Sequence, residues 1–157
     1  MKRLMLYGLL IALVWVVPTE RVDVAELQPI EVIAIYKQGD SVVVSTDTED
    51  TGSGHNAVEA LENMQATAPA VIYLDTAEYL LIGPGAEEEV ERVRHTLKKR
   101  VKLCTVDGPI DLKQAAQFLN VHGNLPELWQ WKAGEKLSFI ISWDGRIKLL
   151  KNIENDS

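Results

Sequence analysis

With 157 residues, 46% of them hydrophobic, the chain has the apolar material for one domain with a buried core and little room for a second. Its formal net charge is -7 at pH 7, and Lys98-Lys99-Arg100 is its one basic block, so no phosphate-neutralising surface is expected and nucleic acid is excluded as a partner. The single cysteine, Cys104, rules out an intramolecular disulfide and a cysteine-built zinc centre, and its place in an apolar run marks it as a core residue.

The N-terminus reads as an export signal. Lys2 and Arg3 precede an uncharged apolar run over residues 4–17, which stops at Pro18 ahead of Glu20 and Asp23. As a helix that run reaches only about 21 Å, against a hydrocarbon core of ~30 Å. No small-residue pair prepares a cleavage site, so residues 1–19 read either as a signal peptide or as an uncleaved membrane anchor. Both readings export the body, residues 20–150, and leave 151–157 as a polar tail.

From Glu20 to Gln28 the chain is a polar lead-in. Ile30 to Tyr36 and Ser41 to Thr46 are strand-like runs joined by a Gly39-Asp40 turn, a hairpin pattern. Asp47 to Ser53, acidic and small, reads as a loop. Asn56 with Glu59 three residues on has capping-box spacing, and Ala57, Val58, Leu61 and Met64 fall on one helical face. Pro69 ends that helix. Ala70 to Leu74 then reads as a buried strand, and Tyr79 to Ile82 as a second strand closed by Gly83-Pro84-Gly85. Residues 86–100 read as a helix with early glutamates, late cations and a Val90, Val93, Leu97 stripe. Val101 to Val106 is a strand. Asp111 caps a helix that buries Leu112, Ala115, Ala116 and Leu119. Residues 125–132 are ambiguous between a helical turn and a linker, and Leu137 to Ser142 pairs with Arg146 to Leu150 across Asp144-Gly145. The expected class is α+β (mixed α/β), a mixed sheet with about three packed helices; strand order is not legible.

Few residue groups look chemical. Gly52-Ser53-Gly54 lies between strand and helix, but the nearby Asp47, Glu49 and Asp50 would repel a phosphate. Asp47, Glu49, Thr51 and Gly52 match the start of an EF-hand loop, yet its twelfth position falls on Val58 and the preceding element is a strand, so a solvated turn is expected. Asp50, Ser53 and His55 are triad types crowded into six residues without a nucleophile elbow. His95 and His122 are unclustered, and no metal or cofactor is expected. The candidate partner or ligand surface comprises Ser53, His55, Asn56, Trp129, Trp131 and Trp143, the tryptophans being either edge-of-core packing or an aromatic contact surface.

Three patches carry a family resemblance. Glu26-Leu27 leads into Ile33-Ala34-Ile35; Gly54 to Leu61 is followed by Ile72-Tyr73-Leu74 and Leu81-Ile82-Gly83; Val101 to Val106 is followed by Asp111 to Leu119. Over about residues 20–122 the chain resembles the N-terminal domain of the Ger(x)C family, the lipoprotein subunits of spore germinant receptors. It departs from that family in having no lipobox cysteine, Val16-Val17-Pro18-Thr19 standing in its place, and in length, as a truncated single-domain relative. The resemblance implies a non-enzymatic, exported, membrane-associated domain, acting in spore germination through protein contacts with germinant-receptor membrane subunits. An extracytoplasmic small-solute module, with a pocket between the Asp47 to Asn56 loop and Gly83-Pro84-Gly85, is the alternative.

Overall fold

The computed structural model describes residues 27–122, 124–135, 137, 139–143 and 146–150, with the backbone alone over 139–143. The signal or anchor at 1–19, the lead-in to residue 26, the Asp144-Gly145 turn and the polar tail lie outside the described residues.

In chain order the elements are β1 (Leu27–Pro29), β2 (Val32–Gln38), β3 (Ser41–Thr46), β4 (Thr51–Gly54), α1 (Ala57–Thr67), β5 (Val71–Tyr73), a 3₁₀ turn (Leu74–Thr76), β6 (Tyr79–Ile82), α2 (Glu89–Val93), β7 (Lys102–Val106), α3 (Leu112–His122), β8 (Phe139–Trp143) and β9 (Arg146–Leu150). Seven strands form one mixed sheet in the order β4-β3-β2-β6-β7-β8-β9, and β1 pairs with β5 in a separate two-stranded ladder. β2, β6, β7 and β8 run parallel; on one flank β3 pairs antiparallel with β2 and β4 antiparallel with β3, and on the other β9 pairs antiparallel with β8. This is the α+β class the sequence leads one to expect.

The parallel strands are apolar at their centres because both faces of the sheet are covered there. On one face Ile33, Ile35, Leu80, Ile82 and Leu103 pack with Ala60, Leu61 and Met64 of α1 and with Val90 and Val93 of α2. On the other, Val32, Ala34, Tyr79, Leu81, Cys104 and Val106 pack with Leu112, Ala115, Ala116 and Leu119 of α3. β6 sits at the centre and all four of its residues are buried. Among the described residues no helix is long and apolar enough to cross a membrane.

Four expectations need correction. The loop expected at 47–53 contains β4, an edge strand of Thr-Gly-Ser-Gly, a composition that carries no strand signal. Those glycines are there for packing: a Cβ at Gly52 would lie 2.2 Å from the Ala60 carbonyl oxygen, and one at Gly54 2.8 Å from the Ala60 nitrogen, because α1 rests directly on β4. Within α1 the fourth buried position is Ala60 and not Val58, since only a small side chain fits under that contact. The strand after Pro69 buries Ile72 alone, leaving Val71 and Tyr73 exposed. The helix expected at 86–100 is regular only over Glu89–Val93. Beyond it the chain tightens into i→i+3 turns, with Thr96 N–H donating to Val93 and Val101 N–H to Lys98. This tightening lets Leu97 and Val101 both reach the core, a tertiary gain that the weak helix propensity of Val90, Val93 and Thr96 does little to oppose.

Candidate functional site

The polar residues around β4 are used structurally. Asp47 Oδ1 accepts the backbone N–H groups of Glu31 and Val32, both at 3.1 Å, and so closes the start of β2. Asp50 Oδ2 accepts from Gln28 Nε2 at 3.0 Å and Thr48 Oγ1 at 2.7 Å. Glu49, held at φ 72 in the turn, receives Lys113 Nζ at 2.6 Å. This contact raises the Lys113 pKa, chiefly through the hydrogen bond to the Glu49 carboxylate. Asn56 Oδ1 accepts from Glu59 N–H at 3.0 Å, and Glu59 Oε2 accepts from His55 N–H at 2.8 Å, a reciprocal cap displaced by one residue from the usual box. Ser53 offers its carbonyl to Asn63 Nδ2.

β4 also separates what the sequence crowds together. Asp50 precedes the strand and His55 follows it, so at ~3.3 Å per residue they stand roughly 16 Å apart along the chain direction. The same geometry places the Asp47 to Asp50 turn against the start of β2, while Gly83-Pro84-Gly85 follows the end of β6. Those two segments lie at opposite ends of the sheet, but Gly54 pairs with Val42 in line with Lys37, so His55 and Asn56, the far end of the expected loop, stand at the same end as Gly83-Pro84-Gly85. Among the described residues no three His, Cys, Asp or Glu side chains converge to hold a metal ion.

The tryptophans divide as well. Trp131 is a core residue, its Nε1 donating to the Glu135 carbonyl and its ring 5.9 Å from the Arg94 guanidinium. Arg94 also donates from Nη2 to the carbonyls of Trp131 at 2.6 Å and Leu128 at 3.3 Å, which pins the irregular segment after α3 onto α2. Trp129 is 58% exposed, its indole N–H on the Glu127 carboxylate. Trp143 lies in β8 opposite Arg146, and its side chain is outside the described atoms.

Two surfaces remain as candidates. The first is a hollow of about 440 Å³ beyond the ends of β2, β6 and β7, lined by Tyr36, Val43, Ser45, Pro84, Pro109 and Ile110. Ligand crevices of parallel sheets form at this end of the strands. One edge of the Tyr36 ring packs on Gly83, where a Cβ would come within 2.5 Å of it. Its hydroxyl is buried and meets no hydrogen-bond partner of acceptable geometry. Burial pushes the Tyr36 pKa above its usual 10.0, the neighbouring Ile110 backbone pulling the other way by less.

The second surface is the opposite end, where the parallel strands begin. Val32, Tyr79 and Lys102 stand in register there, and Lys102 bridges to Glu127. The Trp129 backbone N–H donates to the Lys99 carbonyl at 3.2 Å, which holds the residue against the Lys98-Lys99-Arg100 turn. Arg94, His95, Lys99, Leu128 and Trp129 enclose a slot between them. Periodicity could not have located this surface, because it depends on which strands are neighbours; the basic triplet and the aromatic pair were its only sequence signals. Comparison with models of protein families, with curated proteins and with solved structures finds no match.

Proposed function

We propose that the chain is a non-enzymatic, exported, membrane-associated domain of the Ger(x)C type, acting in spore germination through contacts with germinant-receptor membrane subunits. The observation that carries the reading is how the chain uses its polar side chains. Asp47, Asp50, Asn56, Glu59 and Asp111 all close turns or cap helices, while large apolar side chains stand in solvent at Val121, Trp129 and Leu150. Exposed apolar side chains of this size offer anchors for a partner. The resemblance also falls on residues with exacting packing roles, namely Gly54 under α1, Ile72 and Leu81 in the core, and Asp111 at the start of α3.

For a protein partner the fitting place is β9, which among the described residues pairs with β8 alone and presents an open strand edge ending in the exposed Leu150. Strand addition there would supply main-chain hydrogen bonds, with Leu150 as an anchor. In pull-downs the full chain is expected to capture germinant-receptor membrane subunits, and Leu150→Asp is expected to weaken capture at least tenfold with an unchanged melting temperature. Absence of capture, together with normal germination in cells lacking the chain, overturns the reading.

A second reading, a small-solute module, is favoured by one observation, the unpartnered Tyr36 hydroxyl on its hollow. A thermal-shift screen of amino acids and sugars tests it. A rise in melting temperature that Tyr36→Phe abolishes supports it, and no shift with any of them rejects it.

A further inference from the structure

We propose that the end of the sheet at which β1 enters is a docking surface for an anionic lipid bilayer, seated by Val71, Tyr73, Val121 and Trp129 and drawn in by Lys98, Lys99 and Arg100. The proposal deepens the membrane association argued above and rests on it.

The first argument is the distribution of exposed apolar side chains. Among the described residues the large ones are Val71 at 48%, Tyr73 at 41%, Val121 at 76%, Trp129 at 58% and Leu150. Four of these gather at one end. β5 pairs with β1 just ahead of the turn into β6, which puts Val71 and Tyr73 there. α3 runs back from the end of β7, and Asn120 reaches Glu31 at its C-terminal end, which puts Val121 there. Trp129 is tied to Lys99 ahead of β7. These residues come from both faces of the sheet and spread over several strand spacings of about 4.8 Å, so they rim an end and do not line a groove. A rim of that breadth fits a flat partner.

The second argument is chemical. Tyr and Trp are the side chains that seat at headgroup level, apolar body inward and polar tip outward. Lys98, Lys99 and Arg100 are exposed, and none is held in an ion pair among the described residues. Asp75 and Glu78 line a shallow groove with Lys98 and Arg100, Glu127 holds the Trp129 indole, and Glu31, Asp47 and Asp50 lie further along the same end by β1 and the start of β2, so the local charge is mixed. The attraction is therefore moderate and salt-sensitive, roughly fivefold in binding for each cation that reaches the surface.

The third argument is the tether. The uncharged run over 4–17 precedes Leu27 by residues 18–26, a link that spans at most about 30 Å. Its junction with the described chain is β1, in the same end of the molecule. A bilayer that holds the run therefore keeps this end within about 30 Å of the headgroups. A single short apolar segment gives marginal attachment, and a second, electrostatic contact makes it durable.

The test uses the full chain with vesicles of brominated phosphatidylcholine, with and without about 30% phosphatidylglycerol as the anionic lipid. Quenching of tryptophan emission that is lost in Trp129→Phe isolates Trp129 from the other three tryptophans. Expected is Trp129 quenching in anionic vesicles only, reversed in 0.5 M salt (Debye length about 4 Å), and reduced roughly a hundredfold in apparent affinity by Lys98→Glu, Lys99→Glu and Arg100→Glu together. Chain that floats with vesicles while Trp129 stays unquenched overturns the docking surface and leaves the membrane attachment standing. Trp129 quenching in chain that salt strips wholly from the vesicles supports the surface and removes the apolar anchor. Quenching unaffected by salt and by the triple variant overturns the electrostatic docking, as does failure to associate with vesicles at all.

Discussion

Single residues set tolerances that composition does not reveal. Gly52 is fixed by the Ala60 carbonyl 2.2 Å from any Cβ. Gly52→Ala must therefore push α1 off β4, and a loss of about 3 kcal/mol in urea unfolding is expected. Tyr36 behaves in the opposite way, since its hydroxyl is buried and unpartnered. Tyr36→Phe is expected to leave the midpoint of urea unfolding unchanged or raised. It should also flatten the alkaline limb. Burial raises the folded pKa above 10.0, so the unfolded chain loses this proton first; the phenol's contribution is whole below pH 10 and falls as pH rises through the folded pKa. Urea unfolding at pH 9 and pH 11 should show a smaller drop for the variant than for the parent chain.

At the scale of elements, α1 was the most legible. Asn56, Glu59 and Pro69 mark its ends, and Asn56 Oδ1 caps it as the spacing predicts. Asn56→Ala should cost about 1 kcal/mol, and Asn56→Asp should recover most of it, both read as melting temperatures. α3 was equally clear: Asp111 accepts from the Lys113 and Gln114 N–H groups, and the four expected side chains are buried. α2 was not, because charge order along 86–100 signals a helix while the turns that bury Leu97 and Val101 are decided by the core. The segment after α3 was ambiguous for a related reason. It is held by Arg94 bonds to the Leu128 and Trp131 carbonyls. Arg94→Met should free it, and hydrogen exchange over residues 128–131 is expected to quicken while exchange in β6 is unchanged.

For the whole molecule, both helical layers share the central strands, so calorimetry should record one transition for the described body. Leu80→Ala and Leu81→Ala, which open cavities on opposite faces, should each lower stability by about 2–5 kcal/mol and keep the transition single. Of the candidate residues, Asn56 caps α1 and Trp131 is buried, while Trp129 stands in solvent. By itself the sequence determined the class, the hairpin of β2 and β3, the two capped helices, the strand at β6 and the buried character of Cys104. Apolar period, caps and proline breaks are local, and local physics suffices to fix them. The tertiary structure decided the strand order, the existence of β4, the division between Asp50 and His55, and the gathering of Val71, Tyr73, Val121 and Trp129 at one end. Each of these depends on pairing between segments far apart in the chain, where backbone hydrogen bonds and side-chain volume choose the neighbours and no residue pattern along the chain encodes the choice.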